Sequence, residues 1–203
     1  RAARGMLIYL IMLAIAASRT ELRESGLKVE VIKMEVFECV RTLSSIRSYI
    51  TGDVPDEVIS EVMEAGRLAP SARNQQPWEF ILVTDGDVLK GLEKYCTSGR
   101  FVSEAAFAVV VLTDPSNKWH EVDSTRAVQN MVLTAWGRRL GSCWIGMIDK
   151  KGLAQYLGIP GSLNILTVLP FGYFDKGLAG HEKNRKSPRE VFHLNRFGVK
   201  PGE

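Results

Sequence analysis

Residues 105–113, Ala-Ala-Phe-Ala-Val-Val-Val-Leu-Thr, form one apolar run of strand length with no polar alternation. That pattern, rich in β-branched residues, predicts a central strand buried on both faces. At 203 residues, 45% hydrophobic and 24% charged, the chain can bury one sizeable core around it. The same proportions exclude bulk disorder, collagen-like repetition and a disulfide scaffold. Amphipathic segments alternate with apolar runs along the rest of the chain. Val36, Phe37 and Val40 suggest a first helix. Pro55-Asp56-Glu57 opens a second, on which Val58, Ile59, Val62, Met63 and Ala65 repeat at helical spacing up to Pro70. Strands are predicted over 78–84, 142–148 and 164–174, the last interrupted by Pro170 and Gly172. Helices are predicted over 88–95, 124–140 and 151–157, and residues 181–203 read as a polar, basic tail. The layout is mixed α and β in one domain, and the alternation alone does not decide strand direction.

Residues 6–17 stand apart, as an uninterrupted apolar run behind Arg1 and Arg4. A membrane-spanning helix needs roughly 20 apolar residues, so no span is expected. A basic start, a short apolar stretch and small residues around Ala14, Ala16 and Ser18 resemble a secretory signal. A mis-assigned upstream start, an expression artefact or a helix covered by a partner is the favoured account of the run. Domain patterning begins at Met34, so residues 1–33 read as an extension and 34–203 as the domain. A cytoplasmic protein is expected unless the run is a genuine signal.

Three cysteines, Cys39, Cys96 and Cys143, include no C-x-x-C pair, and His120, His181 and His193 form no H-E-x-x-H motif. A disulfide framework and a metal site are therefore not expected. G-x-G-x-x-G, G-x-x-x-x-G-K-[ST] and G-x-S-x-G are all absent, which disfavours a Rossmann cofactor site, a P-loop and an α/β-hydrolase. Gly141-Ser142-Cys143-Trp144 echoes a papain-type nucleophile, but only about 60 residues follow where the companion histidine should lie over a hundred further on. Cys143 is instead expected as a small core residue. The charge of +3 is too mild to argue for nucleic acid, and the basic residues at 183–189 lack interleaved aromatics.

The segment 69–80, A-P-S-A-R-N-Q-Q-P-W-E-F, lies between a helix end and a strand. Pro70 and Pro77 pin it, while Ser71, Arg73, Asn74 and Gln76 crowd it with donors and acceptors. A rigid polar loop on core elements suits recognition of a planar heteroaromatic molecule. At these residues the chain resembles the FMN-dependent nitroreductase family, whose signature reads A-P-S-x-x-N-x-Q-P-W-x-F. Further similarities follow in order. They are Ser45-Ile46-Arg47-Ser48-Tyr49, then Gln129-Asn130-Met131 through Leu140 to Gly146, then Gly172-Tyr173, and finally Lys183-Asn184-Arg185.

The resemblance implies an α+β fold with a central mixed or antiparallel sheet flanked by helices. It also implies a homodimer with FMN at the subunit interface. Ser45 and Arg47, with Ser44 beside them, would hold the FMN phosphate or ribityl chain, joined by Lys183 and Arg185 from the other chain end. Arginine's fork and lysine's ammonium are the donors a phosphate needs. Pro70, Ser71, Arg73 and Asn74, with Gln76, would approach the isoalloxazine from the partner subunit, and backbone amides around Ile145 and Gly146 would face its N5 and O4. The flavin-edge contact would fall within residues 97–101. Leu43 and Ser44 stand where the family has paired arginines, with Arg41 two residues earlier. The implied activity passes hydride from NADH or NADPH through flavin N5 to nitroaromatic or quinone-type acceptors, by a ping-pong route that needs no catalytic side chain. Dehalogenation or ring oxidation on the same scaffold, and flavin binding without turnover, are the alternatives. No nucleic-acid partner is expected.

Overall fold

The structure, a computed structural model, describes residues 34–200, so the apolar run at 6–17 and the boundary before Met34 lie outside the described residues. Ten regular elements follow: α1 (Val36–Thr42), α2 (Asp56–Arg67), β1 (Trp78–Val83), α3 (Gly86–Leu92), β2 (Phe107–Thr113), α4 (His120–Gly137), β3 (Gly141–Ser142), α5 (Lys150–Leu157), β4 (Asn164–Gly172) and α6 (Pro188–Val191). The four strands make one antiparallel sheet in the order β1-β2-β4-β3, so the fold is α+β. No helix among the described residues is long and apolar enough to cross a membrane.

Every residue of β2 is buried, and its two faces feed two different cores. Phe107, Val109 and Val111 point to α2 and α4, where they meet Ile59, Val62, Met131 and Ala135. Ala108, Val110 and Leu112 point the other way, to Leu89 and Leu92 of α3 and Leu153 of α5. The period of two thus supplies both layers from one strand. Phe107 stacks on Phe171 of β4, centroids 4.9 Å apart and planes 13° from parallel. Deleting a fully buried aromatic costs about 3–5 kcal/mol. Phe107→Ala should lower the unfolding free energy in urea by that amount; a loss under ~1 kcal/mol would show that the two layers do not depend on this strand.

Four expectations change. The strand predicted over 142–148 is two residues long, with one further bridge between Ile145 and Val168 in the same register. That register sets Cys143 opposite Pro170, which has no N–H to give, so the ladder lapses there. β4 itself runs unbroken through Pro170 to Gly172. Helix α4 starts at His120, a turn earlier than the apolar stripe, where Asn117 Oδ1 accepts from Trp119 N at 2.8 Å and Glu121 and Asp123 occupy the first turn. The polar tail holds α6, opened by a capping box between Ser187 and Glu190.

Candidate functional site

Two distant stretches of chain meet beside β3. Ile46 N donates to Ser142 O at 2.9 Å, and Ser45 pairs parallel with Ser142, so the segment after α1 extends the sheet. Gly141 permits this approach: a Cβ there would stand 2.6 Å from Ile46 Cγ1, and Ile46 is fully buried. From the other end of the chain, Lys183 Nζ donates to Val40 O at 2.8 Å. A cation at the last turn of α1 is also favoured by the helix dipole.

Between them lies a cavity of about 280 Å³. Ser44, Ser45, Lys183 and Arg185 line it, with Gln129 of α4 and the Cys143-Trp144 turn as the opposite wall. Four residues expected to hold a phosphate are therefore brought together. Arg47 lies at the edge of the same region, close enough to act on the Cys143 thiol. Burial pushes that thiol up, and Arg47 and Ser45 pull it partly back. Cys143 is a buried small residue, as expected, and its backbone turn also forms cavity wall. Burial alone pushes Cys96 up to about 11, and it raises Cys39 too, so none of the three is an activated nucleophile. Arg41 makes a bidentate pair with Glu38 at 2.7 and 2.9 Å. It is thus held on the exposed face of α1 and does not line the cavity.

The 70–76 loop lies elsewhere. Ala72 N donates to Asp123 Oδ2 at 2.9 Å, and Asp123 is 2% exposed. Ser71 Oγ accepts from Gln76 N at 2.9 Å, closing the loop on itself. Arg73, Asn74 and Gln76 adopt φ of 54°, 57° and 48°. Three left-handed non-glycine residues in four positions cost roughly 1–2 kcal/mol each, a concentration of strain found where a loop is held for a purpose. Arg73 and Asn74 are exposed, as is Pro70. The cavity lined by Ser45 and Lys183 takes no residue from this loop, and Gln75 and Gln76 line a different one.

Ile145 and Gly146 divide. Ile145 N donates inward to Val168 O at 3.2 Å and its side chain is core, so its amide does not face a ligand. Gly146 is exposed, and its N–H has no partner among the described residues. The segment expected to hold the flavin edge packs against this strap: Thr97 Oγ1 donates to Met147 O at 3.0 Å. Sequence reasoning did not single out Gln129 or Trp144 as site residues. The Gln-Asn pair and the Cys-Trp pair sat inside recognised motifs, which was the available signal. No group of three or more His, Cys, Asp or Glu among the described residues is placed to hold a metal ion.

An antiparallel α+β sheet with a cation-lined cavity closed by both ends of the chain defines the class. A profile described as the nitroreductase family matches residues 40–115 and 98–173. A protein of Archaeoglobus fulgidus named "Putative NADH dehydrogenase/NAD(P)H nitroreductase" is 35% identical over 149 residues, 68% of this chain and 85% of its own. A protein of the same name from Methanothermobacter thermautotrophicus is 32% identical over 153 residues, 71% of this chain and 80% of its own. Among solved structures, an FMN-dependent nitroreductase from Clostridium difficile superposes with a TM-score of 0.70 at 27% identity, covering 78% of this chain and 98% of that one. The chain belongs to the nitroreductase family.

Proposed function

We propose that the protein is a homodimeric, FMN-dependent oxidoreductase that takes hydride from NADH or NADPH and reduces nitroaromatic or quinone-type acceptors by a ping-pong route, its flavin-binding unit spanning residues 34–203. The convergence of Ser44, Ser45, Lys183 and Arg185 on one cavity carries this reading. An ammonium, a guanidinium and two hydroxyls suit a phosphate joined to a polyol, and Gln129 adds an amide on the facing wall. The donor set fits FMN. The names of the relatives in Archaeoglobus and Clostridium point the same way.

Bound there, FMN supplies two-electron hydride chemistry between a nicotinamide and an electron-poor acceptor. The chain's own residues bind and orient. Lys183 and Arg185 would neutralise the phosphate from the tail side, while Ser44 and Ser45 would donate hydroxyl hydrogen bonds and Arg47 a further charge from the sheet edge. The Gly146 amide offers a donor at the strap, where a glycine lets a planar ring come close. Arg73 and Asn74, presented by a strained loop remote from this cavity, serve the equivalent cavity of the second subunit. Exposed Val36 and Phe37 on α1, at 73% and 76%, give such a dimer an apolar surface to bury.

The full chain should purify yellow, or turn yellow with added FMN, and elute as a dimer. A colourless protein that gains no flavin from excess FMN would end this reading.

A further inference from the structure

The end of α3 and the turns after it place Lys90, Glu93, Lys94, Thr97 and Arg100 around a second cleft, of about 360 Å³. Three cations share it with one carboxylate, and none of the three makes an ion pair among the described residues. Lys94 Nζ sits 5.6 Å from the Tyr95 ring centroid, which orients its stem without neutralising it. An exposed lysine patch is ordinarily just a solvated face. What sets this one apart is how it is fastened. Asp149 N donates to Tyr95 O at 2.8 Å, Thr97 Oγ1 to Met147 O at 3.0 Å, and Met147 N to Ser98 Oγ at 3.3 Å. Gly99 then packs so tightly on Ile145 that a Cβ would stand 2.4 Å from its Cδ1. The cleft and the strap bearing Gly146 are thereby one body.

We propose that this cleft recognises the 2′-phosphate of NADPH and makes the enzyme prefer NADPH over NADH. The inference rests on the oxidoreductase reading above. A phosphomonoester is a compact dianion that three cations lining one cleft can neutralise beside the single Glu93 carboxylate, whereas the ribose hydroxyl of NADH brings no charge. Arg100 presents a planar fork for bidentate contact, and Lys90 and Lys94 supply point charges. The 97–98 turn ties the cleft to Met147, the residue after Gly146, so both belong to one continuous surface region.

The test uses the full chain carrying FMN, with calorimetric titration of 2′,5′-ADP and of 5′-AMP, which differ only in the 2′-phosphate. Wild-type protein should bind 2′,5′-ADP at least about tenfold tighter, a difference within reach of one charge-assisted contact. Lys90→Gln with Lys94→Gln should erase that preference, and both residues are exposed, so folding should be unaffected. The same variant should lose at least about tenfold in kcat/KM for NADPH while NADH stays within about twofold. Equal binding of the two nucleotides by wild type would overturn the proposal, because the 2′-phosphate would then add nothing. So would a double variant that keeps its discrimination. A protein that takes up no FMN and turns over neither nicotinamide refutes the oxidoreductase reading instead; the two adenosine phosphates still judge the cleft separately.

Discussion

Replacing Lys183 and Arg185 together with glutamine should weaken FMN binding by about a hundredfold or more while leaving the fold intact. Each is a charge-assisted donor worth about 1.5–3 kcal/mol to a bound anion, and two such losses exceed two decades in affinity. The fold should survive because neither side chain is buried. Lys183 gives up one bond to Val40 O, and Arg185 gives up a bond to its neighbour Asn184 O. Fluorescence titration of FMN measures the effect, with thermal unfolding as the control. Wild-type affinity in the double variant would mean that the cavity beside β3 is not where the phosphate sits.

A second large effect is expected at a residue that touches no ligand. Asp123→Ala removes the buried acceptor of the Ala72 amide and the partner of Arg126, whose Nη1 lies 3.6 Å from Asp123 Oδ1. Leaving that amide unsatisfied costs roughly 1–3 kcal/mol. The larger consequence is that the left-handed conformations of Arg73, Asn74 and Gln76 lose what imposes them, and the loop relaxes away from its binding geometry. FMN affinity should fall more than tenfold in Asp123→Ala. Asp123→Asn, which keeps a carbonyl acceptor, should restore most of it even if it remains less stable. That split separates a positioning role from a merely structural one. An Asp123→Ala protein that binds FMN as wild type does would show that the loop holds itself.

Legibility in the sequence tracked how local the determining physics was. β2 was readable because seven consecutive buried positions leave an unbroken run rich in β-branched residues. α2 was readable because proline fixes a helix start. β3 was overestimated because the apolar character of Cys143 and Ile145 comes from cavity wall and core contacts, and its partner Pro170 lies across the sheet. The start of α4 was missed because Trp119, His120 and Glu121 carry no stripe; the turn that Asn117 closes on the Trp119 amide leads into it. In the site, residue types alone suggested Lys183 and Arg185 as anion ligands. A single glutamine on a long helix gives no such signal, so Gln129 emerged only when the wall it belongs to was seen. Likewise the inward turn of the Ile145 amide depends on Val168, which no local pattern announces.

The contact between Lys183 and Val40 spans 143 positions of sequence. Pairings this far apart form last and require the intervening chain to be folded first. A chain that has made the sheet but has not yet docked the segment around Lys183 therefore lacks one wall of the cavity. Closure of the cavity is expected as a late step of folding, after the sheet has formed.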